Sequence, residues 1–174
     1  MNPSFDPAFA DLNVFSKEYY NRWLNPGDER KTNIPVIPSQ DLIRNIGKEN
    51  IEKADRLVRE AAEKGAQIIL LPELFERQYF CQERQYEYYE FAKPVEENDA
   101  VKHFAKVAEE LKVVLPISFY EKDGKRLFNT VAILDADGTN LGIYRKTHIP
   151  DDHYYQEKFY FTPGDTGFKA FKTR

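Results

Sequence analysis

The sequence is short of the features that mark several large protein classes. Its 174 residues contain one cysteine, Cys81, so neither an internal disulfide nor a cysteine-rich zinc site can form. No stretch approaches the roughly 18 consecutive apolar residues of a membrane-spanning helix. The first residues lack the apolar run that a secretory signal needs. Positive charge is not in excess: the formal net charge is −4, which argues against a nucleic-acid or anionic-membrane surface. Internal repeats and low-complexity tracts are also missing. These absences lead to the expectation of a soluble, cytoplasmic protein with no nucleic-acid partner and no membrane partner.

What is present suits a globular core. There are 13 Phe, 11 Tyr and 1 Trp, and 41% of the residues are hydrophobic, enough bulky apolar material for burial. Charged residues make up 31% and the mean hydropathy is −0.67, polar for a globular chain but outside the disordered range. At roughly 150 residues per domain the length fits one domain.

Residues 1–33 show no sustained period and are punctuated by Pro3, Pro7, Pro26 and Gly27. Phe15, Tyr19, Tyr20 and Trp23 fall at helical spacing, so a short helix near Asp11–Leu24 is expected inside an N-terminal extension. The remainder, 34–174, reads as the domain proper. It opens on Ile34-Pro-Val-Ile-Pro38, whose two prolines argue against a central strand. From Glu49 the residues Ile51, Ala54, Leu57, Val58, Ala61 and Ala62 mark a helix face, and Gly65 stands where a C-terminal cap belongs. The continuous run Gln67–Leu71 then predicts a strand covered on both faces.

Gln82–Phe91 is polar and tyrosine-rich, a helix or an ordered loop. Asn98 or Asp99 is placed to cap a second amphipathic helix with Val101, Phe104, Ala105, Ala108 and Leu111 inside. Val113–Tyr120 reads as a strand that Pro116 confines to an edge or a bulge. Asp123-Gly124 signals a hairpin, Leu127–Leu134 the returning strand, and Asp135-Ala-Asp-Gly138 a turn into a strand at Leu141–Tyr144. The order of helix, strand, helix and three-stranded meander predicts an α/β fold with a mixed sheet.

Two residues follow predicted strands, where α/β sheets place their ligands. Glu73 comes directly after the apolar run. A partly desolvated carboxylate there would be a usable base near neutral pH, and the alternative is a solvated loop glutamate. Lys146 follows the Leu141–Tyr144 strand. Facing the same pocket it could pair with Glu73 and stabilise a developing oxyanion; otherwise Arg145 and Lys146 are a solvated basic pair. Cys81 is expected to be buried, as free cysteines usually are. A Cys–His hydrolase built on Cys81 has no orienting partner in the sequence. His148 is either near substrate or packed, His153 is expected to be exposed, and with His103 on a separate helix no metal-ligand spacing emerges.

The stretches Leu70-Leu-Pro-Glu-Leu-Phe-Glu76, Tyr79-Phe-Cys-Gln82, Tyr144-Arg-Lys-Thr-His-Ile-Pro-Asp151 and Tyr155-Gln-Glu-Lys-Phe-Tyr-Phe-Thr-Pro-Gly-Asp-Thr-Gly167 resemble the carbon–nitrogen hydrolase (nitrilase) superfamily from about Asn50 to Arg174. The resemblance implies the N-terminal part of a four-layer α-β-β-α sandwich. It implies hydrolysis of a carbamoyl or amide C–N bond by a glutamate, a lysine and a cysteine nucleophile. Residue by residue, Glu73 matches the general base, Lys146 the oxyanion-stabilising lysine and Glu157 a supporting glutamate. The family's nucleophile lies beyond Arg174, and Cys81 matches a loop that does not supply it. A truncated domain, inactive as this chain, is therefore expected, and the alternative is a non-catalytic half-domain acting by association with another chain. A small-molecule carbamoyl or amide substrate, a homo-oligomer, and no metal or organic cofactor complete what the resemblance implies.

Overall fold

A computed structural model describes residues 40–174 apart from His153, with side chains from Ile46 onward. The expected extension 1–33, its helix near Asp11–Leu24, and the segment Ile34–Pro38 lie outside the described residues, as does the expectation for His153.

The first helix, α1, runs Gln40–Glu63, beginning earlier than its apolar period predicts. Its inner side is the row Ile46, Asn50, Ala54 and Val58, joined by Ile51. These residues recur every four positions and so share one helix face. Leu57, expected on that face, lies on its flank and is exposed, because no described residue covers it. Gly65 ends the helix as anticipated. With φ at +91°, its N–H donates to the Ala62 carbonyl while the Ala66 N–H reaches Ala61, the paired bonds of a glycine-terminated helix.

The expected two-sided strand at Gln67–Leu71 is not found. Ile69 N–H donates to the Val114 carbonyl at 3.0 Å and Val114 N–H to Gln67 at 2.8 Å, a parallel bridge and no more. Leu71 is buried, whereas Ile68 and Leu70 are 64% and 73% exposed. Alternation sends successive side chains to opposite sides, and among the described residues only one of those sides is covered.

Helix α2 spans Asp99–Leu111, and the Asn98 side chain caps it by accepting from Val101 N–H at 2.9 Å. Buried Ala100, Val101, Phe104, Val107 and Ala108 form its core face. Three strands follow, β1 Leu115–Asp123, β2 Arg126–Leu134 and β3 Asn140–Arg145. They pair antiparallel in the order β1-β2-β3. Pro116 thus sits on an outer strand of the meander, where its missing N–H is tolerated. The polar Gln82–Phe91 stretch contains a 3-10 helix over Tyr86–Phe91, after a shorter one at Phe80–Gln82.

Two cores lie on the two faces of the sheet. On the helix face, α1 and α2 pack through Ala54, Val58, Phe104 and Ala108 onto Leu115, Ile117, Phe119, Ala132 and Leu134. Arg59 to Glu110 at 2.7 Å and His103 to Asp55 at 2.7 Å tie the helices together. On the other face Tyr120 meets Leu74, Phe80, Cys81, Ile149, Tyr160 and Phe161. Phe80 is the hub, stacked 5.2 Å from Tyr120 and edge-on to Tyr160 at 4.9 Å, geometries that aromatic quadrupoles favour. This second core carries the loops that hold the candidate site.

Candidate active site

The strand alternation decides which residues can meet. Register pairs Tyr120 with Asn129, Phe119 with Thr130, and Thr130 with Arg145. Asn129, Tyr120 and Ser118 therefore face the loop core, while Arg145 points with Thr130 toward the helices. Lys146, one residue on, turns to the loop side.

There the structure brings Glu73, Lys146 and Glu157 together. Lys146 Nζ donates to Glu73 Oε1 at 2.9 Å and to Glu157 Oε2 at 2.8 Å. Glu157 opens a 3-10 helix, Glu157–Phe159, and is fully buried. Its other oxygen, Oε1, accepts from the Tyr79 hydroxyl at 2.6 Å. Glu73 is supported differently. It lies in a tight turn where Leu74 takes a φ of +53°, uncommon for a branched residue and a sign of local strain. Leu74 N–H donates to Ser118 Oγ at 2.9 Å, pinning the turn to β1. Glu73 Oε1 also accepts from Asn129 Nδ2 at 2.5 Å. Its Oε2 has no hydrogen-bond partner among the described residues.

Two expectations change here. The Glu73 side chain is 47% exposed, not desolvated, since no described residue packs over its outer side. Nor are Arg145 and Lys146 a solvated pair. Arg145 is buried, with Nε and Nη2 on Glu121 at 2.8 and 2.6 Å and further contacts to Asp123 and Asp165 at 2.9 Å. Its guanidinium lies 3.9 Å over the Phe128 ring. The Lys146 side chain keeps 28% of its exposure.

The charge state of Lys146 follows from competing influences. Partial burial, the largest single one, pulls its pKa down. Hydrogen bonds to Glu157 and Glu73, with their charges, together outweigh it, so the ammonium is held above its ordinary range. Tyr79 is pushed up by burial and then by its bond to Glu157, so it stays a donor. Cys81 is fully buried, as expected. Burial, and then the Glu157 and Glu73 charges, push its thiol up, and a protonated, enclosed thiol is a poor nucleophile.

The loop after Lys146 is locked to the sheet. Lys146 N–H donates to the Asn129 carbonyl, and Gly164 N–H to the Lys146 carbonyl, each at 2.8 Å. A Cβ at Gly164 would lie 2.0 Å from the Arg145 carbonyl oxygen, so only glycine admits this approach. His148 is exposed, not packed. No group of three metal-ligating side chains gathers among the described residues, and no helix among them is long and apolar enough to cross a membrane. A cavity of about 660 Å³ near the start of α2, lined by Arg77, Lys93, Asp99 and His103 among others, does not include Glu73, Lys146 or Glu157.

Sequence reasoning missed Asn129, Tyr79 and Glu121. The signal for the first was legible: Asn129 and Thr130 interrupt an otherwise apolar strand, and a buried polar residue there needs a partner. For Tyr79 and Glu121 no local signal marks the partner.

The family model for carbon–nitrogen hydrolases matches residues 46–174. The chain belongs to the carbon–nitrogen hydrolase family. It is 53% identical over 141 residues to an N-carbamoylputrescine amidase of Oryza sativa subsp. japonica, covering 81% of this chain and 47% of that one. It is 43% identical over 142 residues to a citrullinase of Francisella tularensis, covering 82% and 50%. A solved carbon–nitrogen hydrolase from Helicobacter pylori G27 superimposes with a TM-score of 0.68 at 37% identity, over 73% of this chain and 44% of that chain. The mixed helix-and-strand architecture is thus a nitrilase-superfamily fold, and the chain spans about half the length of the curated relatives it matches.

Proposed function

We propose that this chain carries the base, the oxyanion-stabilising lysine and the supporting glutamate of a carbon–nitrogen hydrolase for a small carbamoyl or amide substrate, N-carbamoylputrescine above all. Its 174 residues do not turn that substrate over unaided. One observation carries the reading: the Lys146 ammonium is gripped by Glu73 and Glu157 while Glu73 keeps one oxygen open.

In this reading Glu73 Oε2 accepts the proton of an attacking thiol. The thiolate bonds to the carbamoyl carbon, and Lys146 neutralises the charge that collects on the carbonyl oxygen. Glu73 then returns the proton to the departing nitrogen as the C–N bond breaks. Water, deprotonated by Glu73, releases the acyl group, and a ureido substrate yields ammonia, carbon dioxide and the free amine. For N-carbamoylputrescine the amine is putrescine, which places the step in polyamine biosynthesis. Glu157, buried and fixed by Tyr79, keeps Lys146 charged and aimed. The chemistry calls for no metal or organic cofactor. Cys81 does not serve as the thiol, because it is enclosed by the aromatic core and its proton is held there.

The exposed side chains of Ile68 and Leu70 favour a second reading, in which the chain acts by associating with another chain, including a copy of itself, through that apolar side. Both readings are tested by ammonia release from N-carbamoylputrescine, with Glu73→Ala and Lys146→Ala beside the unaltered chain. No release above the Glu73→Ala control is expected. Release that Glu73→Ala abolishes sinks the inactivity and keeps the site, whereas release that survives both substitutions sinks the site assignment. Size-exclusion of the chain against Leu70→Asp checks association: a shift to smaller species is expected, and identical elution counts against it.

A further inference from the structure

Among the described residues none packs over the outer side of Glu73. A half-exposed glutamate on a strained turn has three rotatable bonds, yet as a base it must present one oxygen in one place. Ser118 holds only the neighbouring backbone, at Leu74 N–H. Among the described residues the carboxylate itself is reached by two donors, Lys146 Nζ and Asn129 Nδ2, both on Oε1.

Asn129 differs from Lys146 in being rigid. It is buried at the middle of β2, in register with Tyr120, so its short side chain has little freedom. Its carbonyl accepts the Lys146 N–H at 2.8 Å. One residue therefore grips the base through its side chain and the lysine through its backbone. By filling Oε1 with a neutral donor, Asn129 leaves Oε2 as the oxygen available for proton transfer.

We propose that Asn129 is the positioning residue of this site, setting the Glu73 carboxylate against Lys146 and selecting which of its oxygens acts as the base. The inference rests on reading Glu73 and Lys146 as a working pair. A merely structural asparagine, present to satisfy its own buried amide, would leave the charge state of Lys146 unchanged when a neutral residue takes its place.

The test is the ¹³Cε NMR titration of Lys146 in the 174-residue chain, for wild type, Asn129→Ala, Asn129→Asp, Glu73→Gln and the double variant Asn129→Ala with Glu73→Gln. Asn129→Ala frees Glu73 to swing away, so the Lys146 midpoint is expected to fall by about half a pH unit. Asn129→Asp sets a second carboxylate beside the pair, and at the alkaline pH where lysine titrates both are ionised, so the midpoint is expected to rise. In the Glu73→Gln background Asn129→Ala is expected to add nothing. Midpoints that move in the same direction for Ala and Asp, or that do not move, overturn the proposal. If Asn129→Ala fails to fold, Asn129→Ser, whose hydroxyl is too short to reach Glu73, is expected to lower the midpoint in the same way. The outcome is separable from the functional reading. Ammonia release insensitive to Glu73→Ala would sink that reading while leaving these titrations as they are; Asn129-variant midpoints that do not move, beside a Lys146 midpoint that falls in Glu73→Gln and no ammonia release, would sink only the role of Asn129.

Discussion

Arg145 and Lys146 are neighbours in the chain and opposites in the structure. Arg145 turns to the helix face of the sheet and is closed in by Glu121, Asp123 and Asp165. Thr130 donates to the same Glu121 oxygen that Arg145 Nε uses, so the planar fork and its partners saturate one another. Lys146 turns to the loop face, meets two carboxylates, and stays partly in water with one of them. A saturated network has no capacity left for a substrate and serves the fold. A network with an open oxygen and a partly wet ammonium can exchange partners, as proton transfer requires. Two basic residues in tandem thus acquire different work through strand alternation alone.

The sharpest way to break that contrast is Arg145→Met. It leaves Glu121 buried without its cation, and a loss of about 3–5 kcal/mol is expected, read as a lower urea midpoint. A loss below about 1 kcal/mol would show the network to be as replaceable as a surface ion pair.

Glu157→Ala comes next. It removes the buried acceptor of Tyr79 and Lys146, and the unpartnered donors are expected to cost about 1–3 kcal/mol. The Lys146 titration midpoint should fall at the same time. A stability loss with an unmoved midpoint would mean that Glu157 only packs.

The smallest effect is a difference between the two pH limbs. The folded pKa of Lys146 lies above its ordinary value of 10.5, so its contribution is whole below that value and is lost as pH rises through the folded pKa. Asp165 is the reverse. Its bond to Arg145, opposed by burial and joined by Arg126, holds the carboxyl below its ordinary 3.8; its contribution is present above that value and is lost as pH falls through the folded pKa. Thermal melts should therefore show Lys146→Met flattening only the alkaline limb and Asp165→Asn only the acid limb. Crossed effects would mean that the two networks are coupled through the backbone between them.

Much of the fold was legible. The Asn98 cap, the Gly65 stop, the Asp123-Gly124 hairpin and the three-stranded meander depend on residues close in sequence, and all appear where their chemistry places them. The Gln67–Leu71 strand did not follow, because a continuous apolar run reports hydrophobicity and not whether both sides are covered. The same limit applies to Glu73, whose exposure depends on what packs over it. The motifs brought Glu73, Lys146 and Glu157 to notice. They carried no information about Asn129, and although Tyr79 stands in one of them, nothing there marks its contact with Glu157.

By itself the sequence determined the local elements, their caps and turns, and the family, since these rest on side-chain period, backbone preference and motif order. Only the tertiary structure decided that Arg145 is enclosed and Lys146 open, and that Asn129 touches Glu73 from 56 positions away and Tyr79 touches Glu157 from 78. Burial and hydrogen bonding join groups through space, and a chain that folds back on itself sets those distances independently of separation along it.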